Sequence, residues 1–248
     1  MKTLRHLLPG VLGLSLAALS FAQEPAVAPD MTAGPAPVGK PWEPGWGFWP
    51  KVPQAWQQTH QGMLKKRDKG GIGILFLGDS ITAGWSGAGK ETWAAEFEPL
   101  KAANFGIGGD TTRQTLWRIG QGELDGLKPE TVVLMIGVNN IFQNNGTDAE
   151  IAKGVEEVIK RIQAKTPDST IILQSVLPLK AEAFDKRVQA VNPLIEKLAV
   201  GKVRWLDLTP TFRGADGKSI QELYTEDGTH LGPKGYEAWA KVLAPVLK

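Results

Sequence analysis

The sequence predicts an α/β protein, a three-layer α/β/α sandwich over a mostly parallel five-stranded sheet. Short apolar runs recur from about residue 72 onward, as strands buried on both faces of a parallel sheet require. Segments with apolar residues at helical spacing alternate with those runs, the pattern of successive βα units. At 248 residues the chain is long enough for one such domain plus extra segments.

Taken in order, residues 1–22 stand outside the domain. Lys2 and Arg5 make a basic start, residues 7–19 are apolar, and Ser20-Phe21-Ala22 offers small residues at the cleavage-determining positions. This is a secretory signal peptide, with the cut expected after Ala22; an uncleaved N-terminal anchor is the alternative. Export would make the mature protein secreted or periplasmic. Residues 23–53 form a Pro-rich linker and aromatic arm that holds eight of the 17 prolines. Up to about Gly39 the composition is that of a disordered linker. Beyond it, Trp42, Trp46, Phe48 and Trp49 crowd into one short stretch. Such a run is either a sugar-stacking platform or, the favoured reading, an arm that packs its rings on the domain.

Residues 54–248 make up the domain. A short helix over 56–64 is expected to end near the basic turn Lys65-Lys66-Arg67. The first strand, 72–77, is the most apolar run and stops at Gly78-Asp79-Ser80. A helix over 91–97, a strand over 102–105, the loop Gly106-Ile107-Gly108-Gly109-Asp110 and a helix over 112–119 come next. A third strand, 131–136, runs into Gly137-Val138-Asn139-Asn140. Thr147 and Glu150 form a capping box, and Ile151, Val155, Val158, Ile159 and Ile162 trace a helical stripe behind it. A strand over 170–175 precedes a helix over 183–199 that Pro193 should kink or divide. The fifth strand is 203–208, and a helix over 234–247 closes the chain.

Hydrophobic residues make up 42% of the chain and charged residues 22%, ordinary values for a soluble globular protein. Without Lys2 and Arg5 the 28 basic residues fall to about 26, against 26 acidic ones, so the mature chain is close to neutral. No basic block remains to suggest a nucleic-acid partner, and no later segment is apolar for long enough to insert the mature chain in a membrane. Cysteine is absent, which excludes thiol nucleophiles and Cys-based metal sites. Oligomeric state leaves no mark in the sequence.

Ser80, at the carboxyl end of the first strand, sits where open α/β sheets place ligands, near free N–H groups of the following turn. A serine nucleophile needs a base. His6 lies in the signal peptide and His60 on the expected surface of the N-terminal helix, so His230 remains, with Asp227 three residues earlier to hold its Nδ1–H. Donors for an oxyanion are available in the Gly106–Asp110 loop and at the Asn139 side chain. Each motif alone is banal; Ser, Gly, Asn and Asp/His at successive strand ends or loops are not.

That ordered set resembles the SGNH, or GDSL-type, hydrolase superfamily. Its four blocks match as Gly78-Asp79-Ser80, Gly109, Gly137-Val138-Asn139-Asn140 and Asp227-Gly228-Thr229-His230. The stretch from Asn104 to Thr112, with Leu116-Trp117-Arg118 and Gly122-Glu123-Leu124, is most like the catalytic subunits of the platelet-activating-factor acetylhydrolases and their bacterial relatives. Asn140 stands where many superfamily members carry Asp, and Val138 where that branch usually has Thr. The resemblance runs from about Gly70 to Lys248. It implies a flavodoxin-like fold, hydrolysis of small or acyl esters, and no cofactor or metal. In its terms Ser80, Asp227 and His230 are catalytic, and the N–H groups of Ser80 and Gly109 with the Asn139 side chain form the oxyanion hole. Trp85 and Asn140 are candidates for touching substrate.

Competing readings are weaker. A dinucleotide fingerprint fails at Thr111, and the G-x-S-x-G elbow fails at Thr82. The expectation is therefore an exported serine esterase acting on short acyl esters. Acetyl groups on carbohydrate are favoured over phospholipid. The rival from another class is a glycan-binding module that kept the fold and lost turnover.

Overall fold

The computed structural model describes residues 39–45 and 53–247. The expected signal peptide, most of the linker, and Trp46, Phe48 and Trp49 of the aromatic run lie outside the described residues.

The chain folds as α1 (Gln54–Lys69), β1 (Ile74–Gly78), α2 (Ser80–Ala83), α3 (Lys90–Glu96), β2 (Ala102–Gly106), α4 (Thr112–Gly120), β3 (Thr131–Met135), α5 (Val138–Phe142), α6 (Asp148–Lys165), β4 (Thr170–Gln174), α7 (Glu182–Glu196), β5 (Val203–Leu206), α8 (Thr209–Phe212) and α9 (Pro233–Leu243). The five strands form one wholly parallel sheet in the order β2-β1-β3-β4-β5. All five residues of β1 are buried, as its run of apolar residues requires of a strand with partners on both sides and helices on both faces. β2 and β5 are the outer strands, and Arg204 on β5 is exposed.

Right-handed crossovers dictate the layers. The chain leaves β1 toward β2 and then reverses, so α4, α6 and α7 pack side by side on one face while α3 and α9 meet on the other. The capping box at Thr147 and Glu150 forms as expected, and Ile151, Val155, Val158, Ile159 and Ile162 are all buried on the sheet side of α6. The reversal falls between β1 and β3. In open sheets this is where loops part to leave a crevice at the strands' carboxyl ends.

Three expectations about helices change. α1 continues through Lys65, Lys66 and Arg67 to Lys69, and Lys66, Arg67 and Lys69 occupy its last turn, where cations interact favourably with the helix dipole. α7 runs unbroken through Pro193. Its Gln189, whose carbonyl loses a donor to the proline, is an exposed residue. His60 is not on the surface. It is 5% exposed, with its ring centroid 5.6 Å from Trp56 and 5.4 Å from Trp117. Burial, with the charges of Arg118 and Arg67, lowers its pKa to about 4, so the ring is neutral at physiological pH.

The described part of the arm lies along α4 and α6. Thr112 Oγ1 donates to the Pro41 carbonyl at 2.7 Å, Asn145 Nδ2 to Gly39 at 3.2 Å, and Arg113 Nε to Glu43 at 3.1 Å. Lys153 Nζ sits 3.7 Å from the centroid of the Trp42 ring, a cation–π contact.

Candidate active site

The site is built from backbone turns at the ends of β1, β2 and β3. Gly78 ends β1 in a space so tight that a Cβ would run into the Thr82 hydroxyl and the Met135 carbonyl. At Gly106 a Cβ would run into the backbone between Thr82 and Ala83. Both glycines let the first turn of α2 lie directly against the strand ends. Asp79 caps that turn, its Oδ1 accepting from the Ile81 N–H at 3.0 Å. Ser80 thereby becomes the first residue of α2. Asp79 itself is 1% exposed and its Oδ2 has no hydrogen-bond partner, so burial pushes its pKa up to about 7.

The turn before α9 carries Asp227 and His230. Gly228 adopts φ 65°, and the Thr225 N–H binds the His230 carbonyl at 2.8 Å, closing a tight loop. Asp227 Oδ1 accepts from the N–H groups of Thr229 and His230 at 2.8 and 2.9 Å and from the Thr225 hydroxyl at 2.9 Å. Its Oδ2 lies 2.6 Å from His230 Nδ1, and His230 Nε2 lies 2.9 Å from Ser80 Oγ. Burial works to raise the Asp227 pKa. The bonds from the His230 ring, the two N–H groups and Thr225 outweigh it and hold the carboxyl well below the usual range. An ionised carboxylate at this distance favours the tautomer with hydrogen on Nδ1, which turns the Nε2 lone pair toward the Ser80 hydroxyl. α9 is tied to α2 by Tyr236, whose hydroxyl donates to the Ile81 carbonyl at 2.7 Å, so base and serine are held by one packed unit.

On the other side of Ser80, Gly109 adopts φ 82° in the turn after β2, and the chain at Gly108 runs beside the serine, where a Cβ would lie 3.8 Å from that of Ser80. Asn139 is half-buried in the first turn of α5, and its Nδ2 donates to the Asp110 carbonyl at 2.9 Å. One Nδ2 hydrogen is used there and the second is left for another acceptor. Ser80 and Asn139 thus flank the point where the strand order reverses.

Two expected substrate contacts are corrected. Trp85 is fully buried, because the turn at Gly84–Ser86 points its indole into a cluster with Phe76, Phe97, Tyr236 and Trp239. Asn140 is also fully buried. Its Oδ1 accepts from the Thr112 N–H at 3.1 Å, and its Nδ2 donates to Thr112 Oγ1 and Asn145 Oδ1 at 3.0 and 3.1 Å. It braces α4 against the loop after β3 and cannot line the site.

Beneath these loops lies a buried charge cluster. Arg118 and Asp110 are both fully buried and 2.8 Å apart, and Arg118 also pairs with buried Glu123. One guanidinium faces two carboxyls. Burial pushes Glu123 up to about 7 and Asp110 to about 6, with Arg118 pulling both back. Nothing in the spacing of Asp110, Arg118 and Glu123 separates them from a solvated helix face. Among the described residues no group of three or more His, Asp or Glu side chains could hold a metal ion, and no helix is long and apolar enough to cross a membrane.

Residues 76–238 match the model of the GDSL-like lipase/acylhydrolase family. The chain belongs to this family. Human platelet-activating factor acetylhydrolase IB subunit alpha2 is 37% identical over 180 residues, 70% of this chain and 73% of that protein. A GDSL-like lipase from Bacteroides thetaiotaomicron superposes with a TM-score of 0.62 at 22% identity, covering 77% of this chain and 96% of that one. The acetylxylan esterase Axe2 of Geobacillus stearothermophilus superposes with a TM-score of 0.56 at 18% identity, covering 72% and 94%. The two structures share the fold. As a GDSL-type acylhydrolase the protein is a serine ester hydrolase, and the hydroxyl–imidazole–carboxylate chain Ser80–His230–Asp227 suits acyl transfer.

Proposed function

We propose that the protein hydrolyses short acyl esters, acetyl esters above all, through an acyl-enzyme on Ser80. The observation that carries this is the unbroken contact from Ser80 Oγ to His230 Nε2 and from Nδ1 to Asp227. Ser80 Oγ attacks the acyl carbon while His230 takes its proton, and Asp227 stabilises the imidazolium. The N–H groups of Ser80 and Gly109 and the second Nδ2 hydrogen of Asn139 receive the charge that grows on the carbonyl oxygen. His230 returns the proton to the leaving alcohol. It then draws one from water, which attacks the acyl carbon, and passes that proton to Ser80 Oγ as the acyl–oxygen bond breaks and the acid leaves.

Carbohydrate is the proposed alcohol part. The side chains of His230 and Asp227 are 46% and 50% exposed, so this side of the site lies open to a bulky acyl carrier. Short acyl groups are in keeping with the names of the relatives, an acetylhydrolase and an acetylxylan esterase. On p-nitrophenyl esters of rising chain length, kcat/KM is expected to peak at acetate, and acetylated xylo-oligosaccharides should release acetate. A peak at long chains, or release from lysophospholipid alone, would instead assign a phospholipid substrate. No turnover of any ester would leave the glycan-binding module.

Export is part of the same proposal, supported by the basic, apolar and small-residue order of residues 1–22. The mature chain is expected to begin at Gln23. Intact-mass measurement of protein recovered outside the cytoplasm tests this, and a chain that keeps residues 1–22 would point to a membrane anchor.

A further inference from the structure

We propose that Trp56, on the helix that precedes the family's matched region, is a positioning residue for the oxyanion donors and acts through Asp110. The proposal rests on the assignment of Gly109 and Asn139 as those donors. Asp110 joins the two ends of the device. Its backbone follows Gly109 directly, and its carbonyl accepts from Asn139 Nδ2 at 2.9 Å. Its carboxylate, fully buried, is gripped from two sides: Trp56 Nε1 donates to Oδ1 at 2.6 Å and Arg118 Nε to Oδ2 at 2.8 Å. Arg118 also donates to the carbonyls of Phe105 at 3.2 Å and Gly78 at 3.3 Å, the ends of β2 and β1. The loop that carries Gly109, whose Asp110 carbonyl accepts from Asn139, is therefore pinned through the Asp110 side chain and Arg118 to the end of β1, just before Ser80.

Trp56 is what α1 contributes to this grip. It is 4% exposed, and its ring lies against Trp117 of α4, the centroids 5.7 Å apart, so the indole has little freedom to turn. A buried carboxylate held by one donor can pivot about it, whereas two donors at different oxygens fix its plane. Release of Oδ1 would let Asp110 rock, and with it the carbonyl that orients Asn139. Displacements of about an ångström at a reacting centre cost on the order of 10²-fold, so a partial loosening should cost about tenfold.

The test is a double-mutant cycle with p-nitrophenyl acetate on the full chain. Trp56→Phe is expected to lower kcat about tenfold with KM within about twofold, and to lose most of that effect in the Asn139→Ala background, because a donor already removed cannot be misplaced. Replacement of the Trp56 indole by the isosteric benzothienyl side chain deletes only the N–H. It should give the same split, which covers the case in which Trp56→Phe fails to fold. Equal fractional losses in both backgrounds, or an unchanged kcat with the benzothienyl side chain, would overturn the proposal. If Asn139→Ala by itself leaves kcat intact, the oxyanion assignment falls and this proposal falls with it; additive losses beside a large Asn139 effect overturn the Trp56 role alone.

Discussion

Ser80→Ala is expected to remove ester hydrolysis almost completely, with kcat lower by roughly 10⁶-fold on the scale of nucleophile removal in other serine hydrolases. In the proposed mechanism the Oγ is the atom that bonds to the acyl carbon, and among the described residues no other hydroxyl is hydrogen-bonded to His230 Nε2. The fold should not suffer. The backbone turn at position 80 is held by the Asp79 cap and by the glycines at 78 and 106, none of which involves the serine side chain. A lost half-exposed hydroxyl bond costs only about 1 kcal/mol. Steady-state kinetics and thermal unfolding of the same preparation decide the matter. Activity within a few-fold of the parent in a folded variant would sink the nucleophile assignment.

Asn139→Ala and Asn140→Ala, adjacent residues, are expected to fail in different ways. Asn139→Ala should lower kcat by about 10²–10³-fold with a much smaller change in KM, since an oxyanion contact strengthens as charge develops and its loss falls on the transition state. Asn140→Ala should leave kcat nearly intact and lower stability. It removes three hydrogen bonds from a fully buried position and strands the Thr112 N–H, at about 1–3 kcal/mol per unsatisfied buried group. Kinetics on one soluble acetyl ester, beside denaturant unfolding of both variants, reads the difference. The reverse pattern, a large kcat loss at Asn140 and a small one at Asn139, would move the oxyanion donor by one residue.

The Trp56 cycle connects with these results. If the grip on Asp110 sets the direction of Asn139, the helix before β1 is part of the catalytic design although it lies outside the matched residues 76–238. Much of the site's precision then comes from a layer behind it, the Trp56–Asp110–Arg118 contacts. Bonds there act on geometry and never touch substrate.

The sequence by itself determined the strands, the layers and the order of the site blocks. Runs such as residues 74–78 and 131–135 are short and almost wholly apolar, as a strand covered on both faces requires, and their alternation with helical stripes leaves few topologies once crossovers are right-handed. Ser80, Gly109, Asn139, Asp227 and His230 could be singled out because their four blocks stand together and in order, as in the superfamily they resemble, although each alone is an ordinary turn or loop motif. Only the tertiary structure decided which neighbours of those residues face the site. Trp85 and Asn140 sit as close in sequence to the chemistry as any, yet a single turn buries one in an aromatic cluster and the other under α4. His60, Asp110, Arg118 and Glu123 look like surface residues because local spacing carries no information about what a long-range contact covers. α1 is brought onto α4 from over fifty residues away, and that contact buries the His60 ring against Trp117 and gives Asp110 its second donor. Burial is a property of pairs of segments, and the energy of a charged or polar side chain depends on burial more than on its identity.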